Sequence, residues 1–347
     1  MNKSALHEVA TALGAPGKGI LAADESTPTI TKRLAAIGVE STPATNNAYR
    51  DLLFTTPGFE QYISGVILFE ETLRQSTVEG GVPYPEHLSK LGVVPGIKVD
   101  KGAKPLAGCP GDKVTEGLDG LRDRFAAYYE LGARFAKWRA VISIEGEAVP
   151  STTGLRANAH ALARYAALAQ EAGLVPICEP EVLMDGEHSI ERSGEVTEAA
   201  ITELYAALRE QKVFLEGTVL KPNMVVSGYD GAGRAGVDEV AAATLACLKR
   251  CVPAAVPSIV FLSGGQTEVE ATVHLDRINE MKGDDAPWNL SFSFGRALQQ
   301  TALATWGGDD AKIDAAKAAF LHRARCSGLA TLGDYSEAVE AEWKPGS

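Results

Sequence analysis

Eight short apolar runs, each followed by a stretch with helical periodicity, recur along the 347-residue chain, and this rhythm limits the possible folds more than any other feature. The runs are GILAA from Gly19, GVILF from Gly65, VVPGIKV from Val93, ARFAKWR from Ala133, VPICEPEVL from Val175, GTVLKPN from Gly217, SIVFLS from Ser258 and LSFSF from Leu290. Each is short enough for a strand buried on both faces, and strands alternating with helices build a parallel sheet. Between them lie segments such as ALARYAALAQEAG from Ala161 and VDEVAAATLACLKRC from Val237, apolar at i, i+3 and i+4 with glycine or proline at the stops. Eight units without a linker or a shift in composition predict an α/β fold, a (β/α)8 TIM barrel closed on itself as a single domain over residues 1–347. The units repeat an architecture and not a wording, so a solenoid is not expected. Ahead of the first run the chain reads as an amphipathic helix. Past Thr331 the segment LGDYSEAVEAEWKPGS loses periodicity, and 331–347 is expected to be a flexible tail.

The formal net charge of −12 argues against nucleic acid or an anionic membrane as a main partner, because counterion release needs a basic surface. Any anion bound here must meet a local positive site. No apolar run reaches the ~18 residues of a membrane span, and no secretory leader is read at the amino terminus. The five cysteines are odd in number and form no CxxC pair, which fits a reducing compartment, so a cytoplasmic protein is expected. Cys247 and Cys251, at i and i+4 of one helix, read as packing residues.

A strand buried on both faces should carry almost no charge, yet several of these runs end in ions. Lys137 and Arg139 are two apart and share a side of their strand, as do Glu179 and Glu181, and Lys98 and Asp100. The first run ends in Asp24 and the sixth in Lys221. In a barrel such positions converge on one mouth, where barrel enzymes keep their active sites. Each residue also has a plainer reading. Asp24 could cap the next helix, Lys98 could form a rim ion pair with Asp100, Lys137 and Arg139 could lead a strand into solvent, and the glutamates could neutralise those cations. Lys221, between an apolar run and Pro222, has few plain readings, because an unpaired buried ammonium is costly.

A lysine beside another cation in a low-dielectric mouth suits imine chemistry: the free amine is the nucleophile, and both effects depress its pKa. Lys137 and Lys221 are expected to do this for each other. Glu179, on the intervening strand, is placed to shuttle protons. The glycine amides of SGGQ, residues 263–266, followed after the eighth run by Gly295 and Arg296, suit an anion, and these last loops are where barrels commonly hold a phosphate.

At this point the chain resembles the class I fructose-bisphosphate aldolase family. GILAADES, ILFEETL, PGIKVDKG, GLDGL, ARFAKWR, VPICEPEVL, LEGTVLKPNM, FLSGGQ and FSFGRAL match its motifs in order from about Lys18 to Leu332. The resemblance implies a metal-free, cofactor-free barrel enzyme, a homo-oligomer and usually a homotetramer, acting on phosphorylated sugars in glycolysis, gluconeogenesis or sugar-phosphate assimilation. It implies that Lys221 forms the Schiff base, that Glu179 is the general acid and base with Glu181 as its partner, and that Asp24 acts on the C4 hydroxyl. Lys137 and Arg139 resemble the cations beside the imine, and Lys98 the one near the aldehyde-side hydroxyls and phosphate. Ser263, Gly264, Gly265, Gly295 and Arg296 resemble the ketone-side phosphate site, and Ser26, Thr29 and Arg33 contacts to the other phosphate. There are two departures. Many members end in a tyrosine that exchanges the C3 proton of the enamine, whereas this sequence ends in WKPGS with Tyr335 and Trp343 as its nearest aromatics, so that another group or a slower step is expected. Phe294 stands where a tyrosine is usual and offers no hydroxyl to a phosphate.

Other readings fit less well. A zinc-dependent aldolase would need imidazoles at the mouth, and none of His7, His87, His160, His188, His274 and His322 terminates a predicted strand. A transaldolase or keto-acid lyase would keep the lysine without needing two phosphate sites, and a silent scaffold would not need the whole ion cluster.

Overall fold

The computed structural model describes residues 1–343. All eight predicted runs are strands: β1 (Gly19–Ala23), β2 (Ile63–Leu68), β3 (Val94–Lys98), β4 (Phe135–Ile142), β5 (Val175–Val182), β6 (Val219–Leu220), β7 (Ser258–Phe261) and β8 (Asn289–Phe294). They pair in parallel, each with its neighbours in sequence, and β8 closes on β1, which makes a (β/α)8 barrel.

Period-two alternation divides each strand between the helix layer and the barrel interior. Ile20, Ala22, Ile67, Phe135, Val175, Ile177, Val219 and Val260 form one cluster with Leu6, Ala10 and Leu13 of the amino-terminal helix Lys3–Leu13. That helix plugs the bottom of the barrel with its apolar stripe. Ser64 and Ser258 tie it down by donating to the carbonyls of Leu13 and Ala10 at 2.7 and 3.0 Å. Phe135 fills the lower interior because β3 offers it no side chain: a Cβ on Gly96 would lie 2.2 Å from its ring.

Two segments differ from the sequence reading. The loop after β3 contains an antiparallel hairpin, Ala103–Pro105 with Lys113–Thr115, whose short strands leave little pattern to read. Residues 331–343, expected to be part of a flexible tail, dock on the helices Ile313–Ala330 and Glu268–Met281. Tyr335 N–H donates to Asp276 at 2.9 Å, Glu337–Glu340 forms a helical turn, Glu340 pairs with Arg323, and Trp343 stacks on His322. Residues 344–347 of that expected tail lie outside the described residues.

Candidate active site

Moving up each strand by two residues from the buried apolar layer leads to the ions. Ala22 is followed by Asp24, Phe135 by Lys137 and Arg139, Ile177 by Glu179 and Glu181, and Val219 by Lys221. The alternation that makes the barrel therefore also points these side chains at one another at its carboxyl-terminal mouth. They line a cavity of ≈ 330 Å³.

Four of them form a row of alternating sign. Asp24 Oδ2 lies 2.7 Å from Lys137 Nζ, Lys137 Nζ lies 3.1 Å from Glu179 Oε2, and Glu179 Oε1 lies 2.9 Å from Lys221 Nζ. Lys137, Glu179 and Lys221 are each at most 4% exposed. Burial pushes the Asp24 carboxyl up, but the charges of Lys137 and Lys221 outweigh it and hold the group well below the usual carboxylate range. Glu179 is likewise raised by burial and brought below its ordinary value by Lys137, Lys221 and Arg139. Glu181, paired with Arg139, goes the other way: burial dominates and carries its carboxyl above the usual value. Adjacent carboxylates pushed apart in this way are suited to different protonation roles.

The expectation that Lys137 and Lys221 depress each other is corrected for Lys137. Burial lowers its pKa, yet Asp24, Glu179 and Asp100 raise it further, so it is held as an ammonium above the ordinary lysine range. The counter-ions Asp24 and Glu179, 2.7 and 3.1 Å away, decide the sign. The helix-cap reading of Asp24 also fails, because the next helix, Thr27–Ala35, is preceded by Ser26 and Asp24 is paired with Lys137. For Lys98 both readings hold: it pairs with Asp100 at 2.9 Å and lines the cavity.

The outer wall holds Ser26, Thr29 and Arg33 from the segment after β1 and Ser263, Gly264, Gly295 and Arg296 from the segments after β7 and β8. Arg296 donates to the Gly264 carbonyl and so bridges the loops after β7 and β8. Gly264 has φ +54°, the left-handed region that favours glycine. Gly265, expected at the phosphate, lies outside this wall: its N–H donates to Met184 Sδ at 3.2 Å. Gln266 of the same motif is buried, and its Oε1 accepts from His274 Nδ1 at 2.6 Å. Phe294 is fully buried beside Phe292, ring centroids 5.3 Å apart, and is not part of the cavity, so the departure there leaves the mouth unchanged.

Sequence reasoning missed Glu25 and Ser293. Glu25 is buried under Arg33 and Arg50, which lies 2.7 Å from it and comes from the distant helix Pro43–Phe54. Ser293 lines the cavity, and its buried hydroxyl has no partner. Its position two residues before Gly295 was the available signal. With these included, six cations (Arg33, Lys98, Lys137, Arg139, Lys221, Arg296) face five carboxylates (Asp24, Glu25, Asp100, Glu179, Glu181). A chain of net charge −12 thus keeps a locally positive mouth. Among the described residues the one group of three close metal-ligand side chains, His322, Cys326 and Glu340, lies away from this mouth, with Glu340 already bound by Arg323 and Tyr335.

Comparison with known proteins agrees with this geometry. The family model for fructose-bisphosphate aldolase class-I matches residues 5–345. A "Probable fructose-bisphosphate aldolase class 1" of Xanthomonas campestris is 56% identical over 96% of this chain and 99% of its own length. "Fructose-bisphosphate aldolase 4, cytosolic" of Arabidopsis thaliana is 55% identical over 93% of this chain and 81% of its own. The solved fructose-bisphosphate aldolase of Plasmodium falciparum, crystallised with TRAP and a small-molecule inhibitor, superposes with a TM-score of 0.94 at 47% identity over 96% of both chains. The chain belongs to the class-I fructose-bisphosphate aldolase family, whose reaction is the reversible cleavage of fructose 1,6-bisphosphate to dihydroxyacetone phosphate and glyceraldehyde 3-phosphate.

Proposed function

We propose that Lys221 carries this reaction as a Schiff base and that the row of ions beside it divides the proton transfers. Glu179 takes a proton from Lys221, freeing the amine to attack the ketone carbon, and returns a proton to the departing hydroxyl of the carbinolamine, which leaves as water. The resulting iminium is the electron sink. Asp24 removes the proton of the C4 hydroxyl, the C3–C4 bond breaks, its electrons form the enamine, and the aldehyde departs. Protonation at C3 and hydrolysis then release dihydroxyacetone phosphate. Lys137 stays an ammonium throughout and, in the resting site, keeps Asp24 and Glu179 both ionised although buried. Bound to Lys137, Asp24 is a weak base. A substrate hydroxyl that competes for that ammonium raises the basicity of Asp24 as it arrives.

Glu181 and Arg139 flank the row and fix Glu179 electrostatically. The ketone-side phosphate takes Ser263 and Gly264 with Gly295 and Arg296, whose guanidinium exchanges the Gly264 carbonyl for phosphate oxygens. Ser26, Thr29, Arg33 and Lys98 meet the other phosphate and its neighbouring hydroxyls. The enzyme works without a metal as a homotetramer in the cytoplasm; the cytosolic Arabidopsis relative supports that location, and no helix among the described residues is long and apolar enough to cross a membrane.

The observation that carries the reading is the contact of Lys221 with Glu179 at 2.9 Å, both side chains buried at the base of the mouth. Borohydride reduction with dihydroxyacetone phosphate, followed by peptide mass mapping, is expected to place the adduct on Lys221, with activity unchanged by EDTA. An adduct on Lys137, or loss of activity that zinc restores, overturns it.

A further inference from the structure

The loop Ser263–Gln266 is fastened from behind by residues that do not touch the cavity. Met184, after β5, places its sulfur 3.2 Å from the Gly265 nitrogen, and its methyl so close to Gly264 that a Cβ there would stand 2.1 Å away. Tyr229, after β6, is joined to Met184 by a 2.9 Å hydrogen bond from its N–H to the Met184 carbonyl. Its ring lies against Gly265, 3.1 Å from where a Cβ would be. Arg234 stacks on that ring, 4.0 Å from its centroid, and pairs with Glu270. Glu270 completes the capping box of the helix that follows the loop, accepting from Thr267 N–H at 3.2 Å. These contacts run from loop to loop and return to the segment they began behind.

From this arrangement we infer that Met184, Tyr229 and Arg234 are positioning residues for the ketone-side phosphate. They hold the Ser263–Gly264 segment at the height Arg296 needs, and substrate affinity depends on them though none lines the cavity. This rests on the phosphate placement proposed above. The Tyr229 hydroxyl is buried without a partner, so the ring and not the oxygen does the positioning. Backbone amides bind an anion well only when their direction is fixed beforehand, because reorienting them costs the affinity they would supply.

The test compares Tyr229→Ala, Tyr229→Phe, Arg234→Ala and Arg296→Ala on fructose 1,6-bisphosphate and on a ketose carrying only the distal phosphate, with inorganic phosphate as competitive inhibitor. Tyr229→Ala is expected to raise KM for the bisphosphate and Ki for phosphate about tenfold, the scale of one lost charged hydrogen bond. Its kcat and its KM for the monophosphate should stay near the parent values. Tyr229→Phe should behave as the parent, and Arg234→Ala, an exposed change, should shift KM and Ki in the same direction as Tyr229→Ala. If Arg296→Ala discriminates between the substrates while Tyr229→Ala and Arg234→Ala do not, the bracket is wrong and the phosphate site stands. If Arg296→Ala does not discriminate, the phosphate placement fails and the inference falls with it. Should Tyr229→Ala not fold, Arg234→Ala against Tyr229→Phe decides.

Discussion

Lys137→Met removes the charge at the centre of the row while keeping most of the side chain's volume. Lys137 Nζ lies 2.7 Å from Asp24 and 3.1 Å from Glu179, so the two carboxylates are no more than about 6 Å apart. With an effective dielectric constant of about 20, the lost attractions are roughly 5–6 kcal/mol each and the repulsion left uncovered roughly 3 kcal/mol. The repulsion alone corresponds to about two pKa units for the pair. Burial already pushes both groups up, and Lys137 heads the charges that hold them down. Near neutral pH the pair is therefore expected to take up a proton, leaving one general base where the parent has two. The acid limb of the kcat/KM profile should move to higher pH by about two units, and kcat should fall about 10²- to 10³-fold. Lys221 keeps its contact with Glu179, so borohydride should still trap substrate on it. Stopped-flow rates across pH, with mass mapping of the trapped enzyme, test this. An acid limb that does not move, with kcat within a few-fold of the parent, would refute the claim that Lys137 keeps its neighbours ionised.

Asp24→Asn should flatten the acid side of the stability curve. The folded pKa of Asp24 is depressed, so its contribution is present above the unfolded value of ~3.9 and is lost as pH falls through the lower folded one; melting temperature against pH checks this, and an acid limb as steep as the parent's would count against it. Lys137 acts oppositely, its raised pKa giving stability that is full below ~10.4 and lost as pH rises through the folded value. Gly96→Ala puts a methyl 2.2 Å from the Phe135 ring and should cost about 1–3 kcal/mol in denaturant unfolding. An unchanged midpoint would mean that the ring has room to move.

Strand positions were legible because an apolar run between polar turns has few other uses in a chain of this composition. GILAA is β1 residue for residue. The run GTVLKPN shrank to the two residues of β6, because Pro222 has no N–H to donate, yet its carbonyl still accepts from Leu262 at 3.0 Å and the barrel stays closed. The docked segment after Thr331 was not legible, since it is held by Arg323–Glu340 and Arg325–Glu342, ion pairs between residues 17 apart that leave no periodic trace. The mouth was legible wherever a functional residue lay two positions beyond a buried one. It was not for Arg50, which reaches Glu25 from a helix behind the cavity, nor for the direction of the Gly265 N–H, which Met184 takes up.

The sign of Lys137 is where pattern and geometry part. Sequence places two lysines on neighbouring sides of one glutamate and chemistry wants one of them neutral, but strand order alone cannot say which. The contacts supply the asymmetry. Lys137 has two carboxylates within 3.1 Å, whereas Lys221 has one, Glu179, which it shares. A proton passed from Lys221 to Glu179 removes the negative charge that Glu179 shares between both lysines, and Lys137 then rests on Asp24 alone at 2.7 Å. While Glu179 carries that proton, Lys137 holds Asp24 more tightly. In the proposed mechanism Glu179 then gives its proton to the departing hydroxyl, which restores the second counter-ion, and the C4 hydroxyl competing for Lys137 completes the release of Asp24. The proposed order of proton transfers thus accords with three distances along one row.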